Sequence, residues 1–272
     1  MPLTSDITIN YSRFDPNSAT EDAKKYSEFL ERTTSEVPKW YEVGAPRFRE
    51  IIEAGEFGGL KLGPVDGLLK FYANTIRVTA MSIGYRLAPE HPWPAAREDS
   101  IDVAEYLVDA EESEHGGKLL FLAGESGDAN LTMVTALHLI RARPQHVLKG
   151  LVLPYGNYTV ALGLPSMVSF DKPTPEERRN PLVSPLFEDL RALASQTLSG
   201  RLPPALFICG TNDPLLDDTL FMSVKWQATG SETIVKIFPG APHVFNVPSV
   251  DIGKESFAYE AEFLLDKLGS AV

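Results

Sequence analysis

Apolar residues recur along the chain with two different spacings. In residues 20–33 and 38–54 they return every three to four positions, which predicts two helices, the second kinked at Pro46. Beyond residue 65, helical spacing alternates with short apolar runs that end at glycine, proline or polar residues. The predicted helices are 65–76, 98–112, 129–142, 186–198, 218–228 and a last one ending near 269, and the predicted strands are 77–84, 118–123, 148–154, 205–209 and 233–238. This alternation is typical of an α/β fold with a mainly parallel sheet flanked by helices.

The order of these elements predicts one structural unit within the 272 residues. No repeat, linker or low-complexity segment divides it, so we expect N-terminal cap helices in residues 1–55 and an α/β core in residues 56–272. Since residues 38–55 are predicted to be helical, few residues remain for strands ahead of 77–84, and the sheet is expected to be shortened. A shortened sheet exposes an edge strand, which a second subunit commonly covers, so a homodimer is expected.

A serine follows the predicted strand 118–123 at the point where a helix begins. Residues 122–130 are Leu-Ala-Gly-Glu-Ser-Gly-Asp-Ala-Asn, with the serine at Ser126. A tight strand-to-helix turn lifts a serine hydroxyl out of the sheet, and the amide of Gly127 faces the charge that develops on an attacked carbonyl. The pattern therefore favours Ser126 as a nucleophile. The alternative is a serine that only caps a helix.

A carboxylate and a histidine follow two later strands. Asp213 comes after strand 205–209, and His243 comes after strand 233–238. Because the carboxyl ends of parallel strands lie at one edge of a sheet, both side chains can converge on Ser126. In the order serine, acid, histidine, the histidine takes the serine proton and the carboxylate fixes the imidazole tautomer. Taken singly, Asp213 can be a turn residue before proline, and His243 a loop residue bonded to backbone.

A longer motif carries a family resemblance. Residues 84–96, Gly-Tyr-Arg-Leu-Ala-Pro-Glu-His-Pro-Trp-Pro-Ala-Ala, closely resemble a signature of the hormone-sensitive-lipase-like esterases. Further segments similar to that family, which extend the resemblance from about residue 56 to the C-terminus, are 124–130, 180–185, 213–215 and the loop at His243. The resemblance implies an α/β-hydrolase fold, the hydrolysis of carboxylic esters, and a catalytic triad of Ser126, Asp213 and His243.

The glycine motif of that family is altered in this chain. The family carries His-Gly-Gly-Gly, whose glycine amides bind the oxyanion of the intermediate. At the matching positions 56–59 this chain has Glu-Phe-Gly-Gly, so it is identified as a divergent member. The resemblance implies an oxyanion hole made by the amides of Gly58, Gly59 and Gly127.

Two acidic residues lie next to the predicted oxyanion hole in the sequence. Glu56 replaces the histidine of the glycine motif, and Asp128 follows the nucleophile turn. A carboxyl group in an apolar pocket has a raised pKa and acts as a general acid or base, so both residues are predicted as additional acid or base groups. The alternative is a solvated loop charge at Glu56 and a first-turn helix residue, favoured by the helix dipole, at Asp128.

Composition narrows the ligands and partners. With 25 lysines and arginines against 37 acidic residues, the net charge of −12 opposes nucleic acid and favours a small, apolar substrate. No apolar run approaches the roughly 18–20 residues that span a bilayer. The N-terminus has no signal-peptide pattern and Cys209 is the single cysteine, which predicts a cytoplasmic location. The five histidines are dispersed and no phosphate loop or dinucleotide fingerprint is present, so neither a metal nor a cofactor is expected.

The sequence leaves three functions open. The first is a serine hydrolase of the carboxylesterase type that acts on a small apolar ester through a Ser-His-Asp triad. The second is a non-hydrolytic enzyme of small-molecule metabolism, a cyclase, lyase or dehydratase, because a fold does not fix its chemistry. The third is a catalytically silent ligand-binding protein, which the intact triad disfavours.

Overall fold

Parallel strands form a single sheet. The computed structural model describes residues 8–35, 38, 40–54, 66–160 and 174–269. Within them the sheet has four strands, and their spatial order follows the chain. The strands are β1 (Phe121–Ala123), β2 (Gly150–Pro154), β3 (Ala205–Asn212) and β4 (Thr233–Pro242). Each pairs in parallel with the next, so all carboxyl ends lie at one edge of the sheet.

Helices precede, connect and follow these strands. They are α1 (Glu21–Ser35), α2 (Trp40–Val43), α3 (Ala45–Glu53), α4 (Asp66–Ile76), α5 (Ala95–Glu114), α6 (Gly127–Ala142), α7 (Pro175–Arg178), α8 (Leu190–Ala194), α9 (Leu216–Gln227) and α10 (Asp251–Gly269). Short 3₁₀ turns lie at Tyr11–Phe14, Pro16–Ser18 and Pro185–Phe187. The predicted α/β alternation is therefore present from α5 to α10.

The sheet has an apolar core on each face. Helices α6, α8 and α9 connect successive strands, and right-handed crossovers place all three on the same face. There they pack on alternate strand residues, among them Leu151, Leu153 and Phe207. On the opposite face, Val152 and Leu206 pack against α1, α4 and α10. Because successive side chains of a strand point to opposite faces, the apolar runs of β2 and of the first half of β3 serve both cores.

The prediction of a strand at 77–84 is wrong. In the described part of the chain the sheet has four strands rather than five, and 77–84 forms an irregular connection after α4. Met81 in this connection is 50% exposed. An apolar pattern indicates a surface that packs, whereas a strand also needs a neighbouring backbone to pair with. Within the described ranges, strand β1 pairs only with β2, through three residues.

The N-terminal helices differ in extent from the prediction. The predicted helix 38–54 is divided at Gly44, whose φ of +83° is accessible to glycine at little cost, two residues before the expected kink at Pro46. Helix α1 buries Ala23 and Tyr26 in the core beside β4. A separate N-terminal cap ending at residue 55 therefore stays a prediction.

Candidate active site

Three side chains predicted from the sequence meet at the carboxyl edge of the sheet. Ser126 lies between β1 and α6, Asp213 follows β3, and His243 follows β4. Ser126 Oγ is 2.9 Å from His243 Nε2, and His243 Nδ1 is 2.8 Å from Asp213 Oδ2. The structure thus joins residues that are 117 and 30 positions apart in one hydrogen-bonded chain.

The Asp213 carboxylate is fixed on both sides. Its side chain is fully buried, and its Oδ1 accepts a hydrogen bond of 2.8 Å from the backbone N–H of Leu215. Its Oδ2 is left to accept from His243 Nδ1–H, which assigns the tautomer in which Nε2 accepts from the Ser126 hydroxyl. The His243 side chain is 29% exposed, so solvent and a ligand can reach it.

The backbone at Ser126 forms a sharp strand-to-helix turn. Its φ of 54° and ψ of −116° lie outside the common regions for a non-glycine residue, at a cost of about 1–3 kcal/mol. The turn is held because Ser126 N–H donates to Pro154 O at 3.1 Å and Asn157 N–H donates to Ser126 O at 3.2 Å. A Cβ at Gly124 would lie 2.4 Å from the backbone oxygen of Asp128, so only glycine fits there. This geometry is that of a nucleophile elbow.

Of the residues predicted to supply oxyanion donors, Gly127 lies within the described structure. Gly127 is the first residue of α6, and its N–H therefore has no acceptor within the helix. Gly58 and Gly59, together with Glu56, lie outside the described residues.

Asp128 lies in the first turn of α6 and has a specific partner. Its Oδ1 accepts a hydrogen bond from the Tyr85 hydroxyl, which belongs to the 84–96 motif. Desolvation by the surrounding protein raises the pKa of the Asp128 carboxyl, and the hydrogen bond from Tyr85 opposes that rise. The residue keeps an exposed surface, so its desolvation is partial. The carboxyl group is also near the positive end of the helix dipole, as the alternative interpretation of Asp128 expects.

Comparison with known proteins identifies the family. Residues 54–247 match a family described as having the alpha/beta hydrolase fold. The chain belongs to this α/β-hydrolase family. The fold and the family predicted from the motif at 84–96 are therefore confirmed at that level.

Several named relatives of this hydrolase-fold chain are esterases. An AB hydrolase superfamily protein of Schizosaccharomyces pombe is 28% identical over 222 residues, which cover 71% of this chain and 62% of the relative. An acetyl esterase of Salmonella paratyphi B is 27% identical over 213 residues, which cover 69% of this chain and 62% of the relative. The solved structure of a hyperthermophilic esterase from Pyrobaculum calidifontis matches with a TM-score of 0.63 and 27% identity over 77% of this chain and 72% of that chain. The chain therefore spans less than two thirds of the length of the two curated relatives.

The described helices contain no membrane span. None of them is both long enough and apolar enough to cross a bilayer.

Three polar residues beside Ser126 and His243 were not among the catalytic or oxyanion-hole residues predicted from the sequence. The Glu125 carboxylate accepts hydrogen bonds from Tyr155 Oη–H at 2.8 Å and from Asn246 Nδ2–H at 3.1 Å. The Tyr155 ring meets the His243 ring edge to face, with 5.0 Å between centroids. A positional signal was present: Glu125 precedes Ser126, Tyr155 directly follows β2, and Asn246 lies three residues after His243. Polar residues at the carboxyl ends of parallel strands are candidates for a site.

Proposed function

We propose that this protein hydrolyses carboxylic esters of small, apolar molecules, with Ser126 as the nucleophile. The observation that carries the proposal is the continuous hydrogen-bonded chain from Ser126 Oγ through His243 to the buried Asp213. The names of the acetyl esterase and of the hyperthermophilic esterase support the same chemistry.

The geometry supports a two-step acyl transfer. Ser126 Oγ attacks the ester carbonyl carbon while its proton passes to His243 Nε2. The tetrahedral intermediate then breaks the bond to the alkoxy oxygen, His243 gives that oxygen the proton, and an alcohol leaves. A water molecule attacks the acyl-serine in the same way, with His243 first taking its proton and then returning a proton to Ser126 Oγ as the acid is released. Asp213 orients the imidazole and stabilises the imidazolium in both steps.

The developing oxyanion needs hydrogen-bond donors. The N–H of Gly127 at the start of α6 is proposed as one donor, supported by the helix dipole. The amides of Gly58 and Gly59 are proposed as the others, on the family resemblance alone.

The acidic net charge of the chain favours an uncharged substrate. The net charge of −12 gives no attraction for a polyanion, and the Asp128 carboxyl beside the nucleophile turn would repel an anionic group when it is ionised. Asp128 stays a proposed additional acid or base, because its partner Tyr85 can exchange hydrogen-bonding roles as the carboxyl gains or loses a proton. Glu56 is proposed for the same role on its sequence position alone.

Turnover of simple esters tests this function. We expect purified protein to release nitrophenol from p-nitrophenyl acetate and butyrate, and the Ser126→Ala variant to lose that release. The matched control is Ser199→Ala, which removes an exposed hydroxyl far along the chain from the site and is expected to keep the wild-type rate.

Three results would contradict the proposal. Turnover that persists at the wild-type rate in Ser126→Ala would assign it to another group. A wild-type protein without turnover or acyl adduct, but stabilised against heat by an apolar ligand, would favour a binding protein. Ligand conversion without hydrolysis would favour a cyclase, lyase or dehydratase.

A further inference from the structure

Behind the triad lies a connected set of buried and partly buried polar side chains that the proposed mechanism does not use. We call it the Glu125 network; its members are Glu125, Tyr155, Asn246, Glu260 and Tyr72. Tyr155 and Glu260 have no exposed surface, and Asn246 is 5% exposed. A polar side chain that is removed from water costs free energy unless it is hydrogen-bonded. The pairing of these side chains offsets that cost.

Three loops at the carboxyl edge of the sheet each contain a strained residue. Ser126 after β1 has a φ of 54°, Tyr155 after β2 has a φ of 36°, and Val244 after β4 has a φ of 58°. Such conformations are unfavourable for non-glycine residues and persist only when the surrounding contacts hold them. The loops that carry Ser126 and His243 therefore need external support.

One carboxylate connects all three loops. Glu125 precedes Ser126 and accepts hydrogen bonds from Tyr155 in the second loop and from Asn246 in the third. Asn246 lies two residues after Val244 and three after His243. The Glu125–Asn246 hydrogen bond is thus a direct link between the nucleophile turn and the histidine loop.

Two helices anchor this link. Asn246 Nδ2 also donates to Glu260 Oε1 on α10 at 2.9 Å, and Glu260 Oε2 accepts from Tyr72 Oη–H on α4 at 2.5 Å. Ser256, one turn earlier on α10, donates to Glu260 at 3.5 Å. The amide of Asn246 therefore holds two carboxyl groups, one beside the nucleophile and one in the helix layer.

The Glu125 network contains two carboxyl groups and no cationic side chain of its own. Among the described residues, no lysine or arginine pairs with Glu125 or Glu260, and the cationic form of His243 is the positive group that attracts Glu125. Burial raises the pKa of both carboxyls, that of Glu260 to about 7, with the charge of Glu125 adding to the rise. Burial thus favours the protonated form of each carboxyl relative to a carboxyl in water.

We propose that Glu125 and Asn246 are positioning residues of the esterase site, which hold the Ser126 turn and the His243 loop at a fixed separation. This inference rests on the proposed ester hydrolysis for its kinetic consequence, but its geometric content concerns only the Ser126–His243–Asp213 chain.

Two variants and one control test the positioning role. Glu125→Gln keeps the size of the side chain and removes its charge, and Asn246→Ala removes the link. The control is Trp226→Phe, which removes a buried hydrogen bond to Pro203 O in the core on the other face of the sheet and leaves the network intact. All are compared with the wild type by thermal melting, by nitrophenyl acetate kinetics, and by the low-field proton NMR resonance of the hydrogen bond between His243 Nδ1 and Asp213.

The proposal predicts a specific pattern. Both network variants lower kcat by about 10-fold to 100-fold with KM within about threefold, because the reacting groups lose alignment rather than substrate affinity. The low-field resonance broadens or disappears in both variants and persists in Trp226→Phe, which lowers the melting temperature without changing kcat.

Other outcomes would overturn it. A sharp wild-type resonance in both network variants, or a loss of kcat no larger than in Trp226→Phe at equal melting temperature, would show that the network is only part of the core. If Glu125→Gln does not fold, the kinetics and the low-field resonance of Asn246→Ala and of the conservative variant Glu125→Asp test the positioning role instead. If the wild type itself shows no turnover, the proposed function fails while the resonance still decides the positioning role.

Discussion

The conformation of Ser126 is determined by its neighbours and not by its own preference. A serine with a φ of 54° exists here because a glycine two residues earlier lets α6 approach the end of β1, and because backbone hydrogen bonds from both sides fix the turn. The hydroxyl is thereby held 2.9 Å from the His243 ring before any substrate binds. Such preorganisation is where a site of this kind gains its rate.

The close approach at Gly124 predicts a large effect of one methyl group. In Gly124→Ala the new Cβ would meet the backbone oxygen of Asp128 and the Thr132 hydroxyl at 2.4 Å, so we expect a loss of about 1–3 kcal/mol in the free energy of unfolding. Urea denaturation measures it. Gly127→Ala, where a Cβ meets nothing within 4 Å, is the stability control. Equal stability of the two variants would contradict the packing described for Gly124.

Replacement of the buried Asp213 by asparagine is predicted to impair catalysis while leaving the structure intact. Asp213→Asn can still accept from Leu215 N–H but favours the wrong histidine tautomer, so kcat for nitrophenyl acetate should fall by about 10³-fold to 10⁴-fold with little change in KM. Asp217→Asn, an exposed carboxylate in the first turn of α9, is the matched control and should keep kcat. A loss of less than tenfold in Asp213→Asn would remove this carboxylate from the mechanism.

The buried Glu260 predicts a pH dependence of stability. Its pKa is raised from 4.5 to about 7 in the folded protein, mainly by burial, so the folded state binds the proton more tightly than the unfolded state. Its contribution to stability is complete below about pH 4.5 and is lost as the pH rises through about 7. Glu260→Gln should therefore become more stable relative to wild type between pH 5 and pH 8, as measured by chemical denaturation.

A control on the same helix isolates that effect. Glu255→Gln removes an exposed carboxylate from α10 and should leave the pH dependence of stability as in the wild type. The assignment of the titration to Glu260 fails if Glu260→Gln keeps the wild-type dependence.

At the scale of elements, apolar periodicity and turn residues were sufficient to predict those helices and strands that short stretches of the chain determine by themselves. The helix predicted at 129–142 is α6, and the strands predicted at 205–209 and 233–238 are the beginnings of β3 and β4. Both strands run further than their apolar runs, to Asn212 and Pro242, because backbone pairing continues after the side chains cease to be apolar.

Long-range pairing is what the sequence does not encode locally. The run 77–84 has a strand-like composition but no backbone partner in the described structure, so it remains an irregular connection. The Glu125 network was missed for a similar reason: Glu125, Asn246 and Glu260 are 121 and 14 positions apart along the chain, and only the folded sheet brings them together. By contrast, Ser126, Asp213 and His243 could be predicted, since each follows its own strand.

At the scale of the whole molecule, the sheet of the described residues is open, with β1 and β4 as its edge strands. Strand β1 pairs on one side with β2, and in the described residues no strand pairs on its other side. Because an unpaired strand edge is commonly covered by another subunit, we predict a homodimer at micromolar concentration. Light scattering across a concentration series measures it, and a mass near 29.9 kDa throughout would contradict the prediction.

Helices from both ends of the chain pack on one face of the sheet. Helices from the N-terminal and C-terminal parts, α1 and α10, share the core that lies under the His243 loop, and Tyr26 of α1 donates to Val244 O at 3.1 Å. The position of the proposed base therefore depends on both parts of the chain.

The central claim is that Ser126 is an activated nucleophile. The most direct measurement is the intact mass and peptide map of the protein after treatment with a fluorophosphonate. The account predicts one adduct per chain on the peptide that contains Ser126, absent in Ser126→Ala and slowed in Asp213→Asn. No adduct, or an adduct elsewhere that persists in Ser126→Ala, would contradict it.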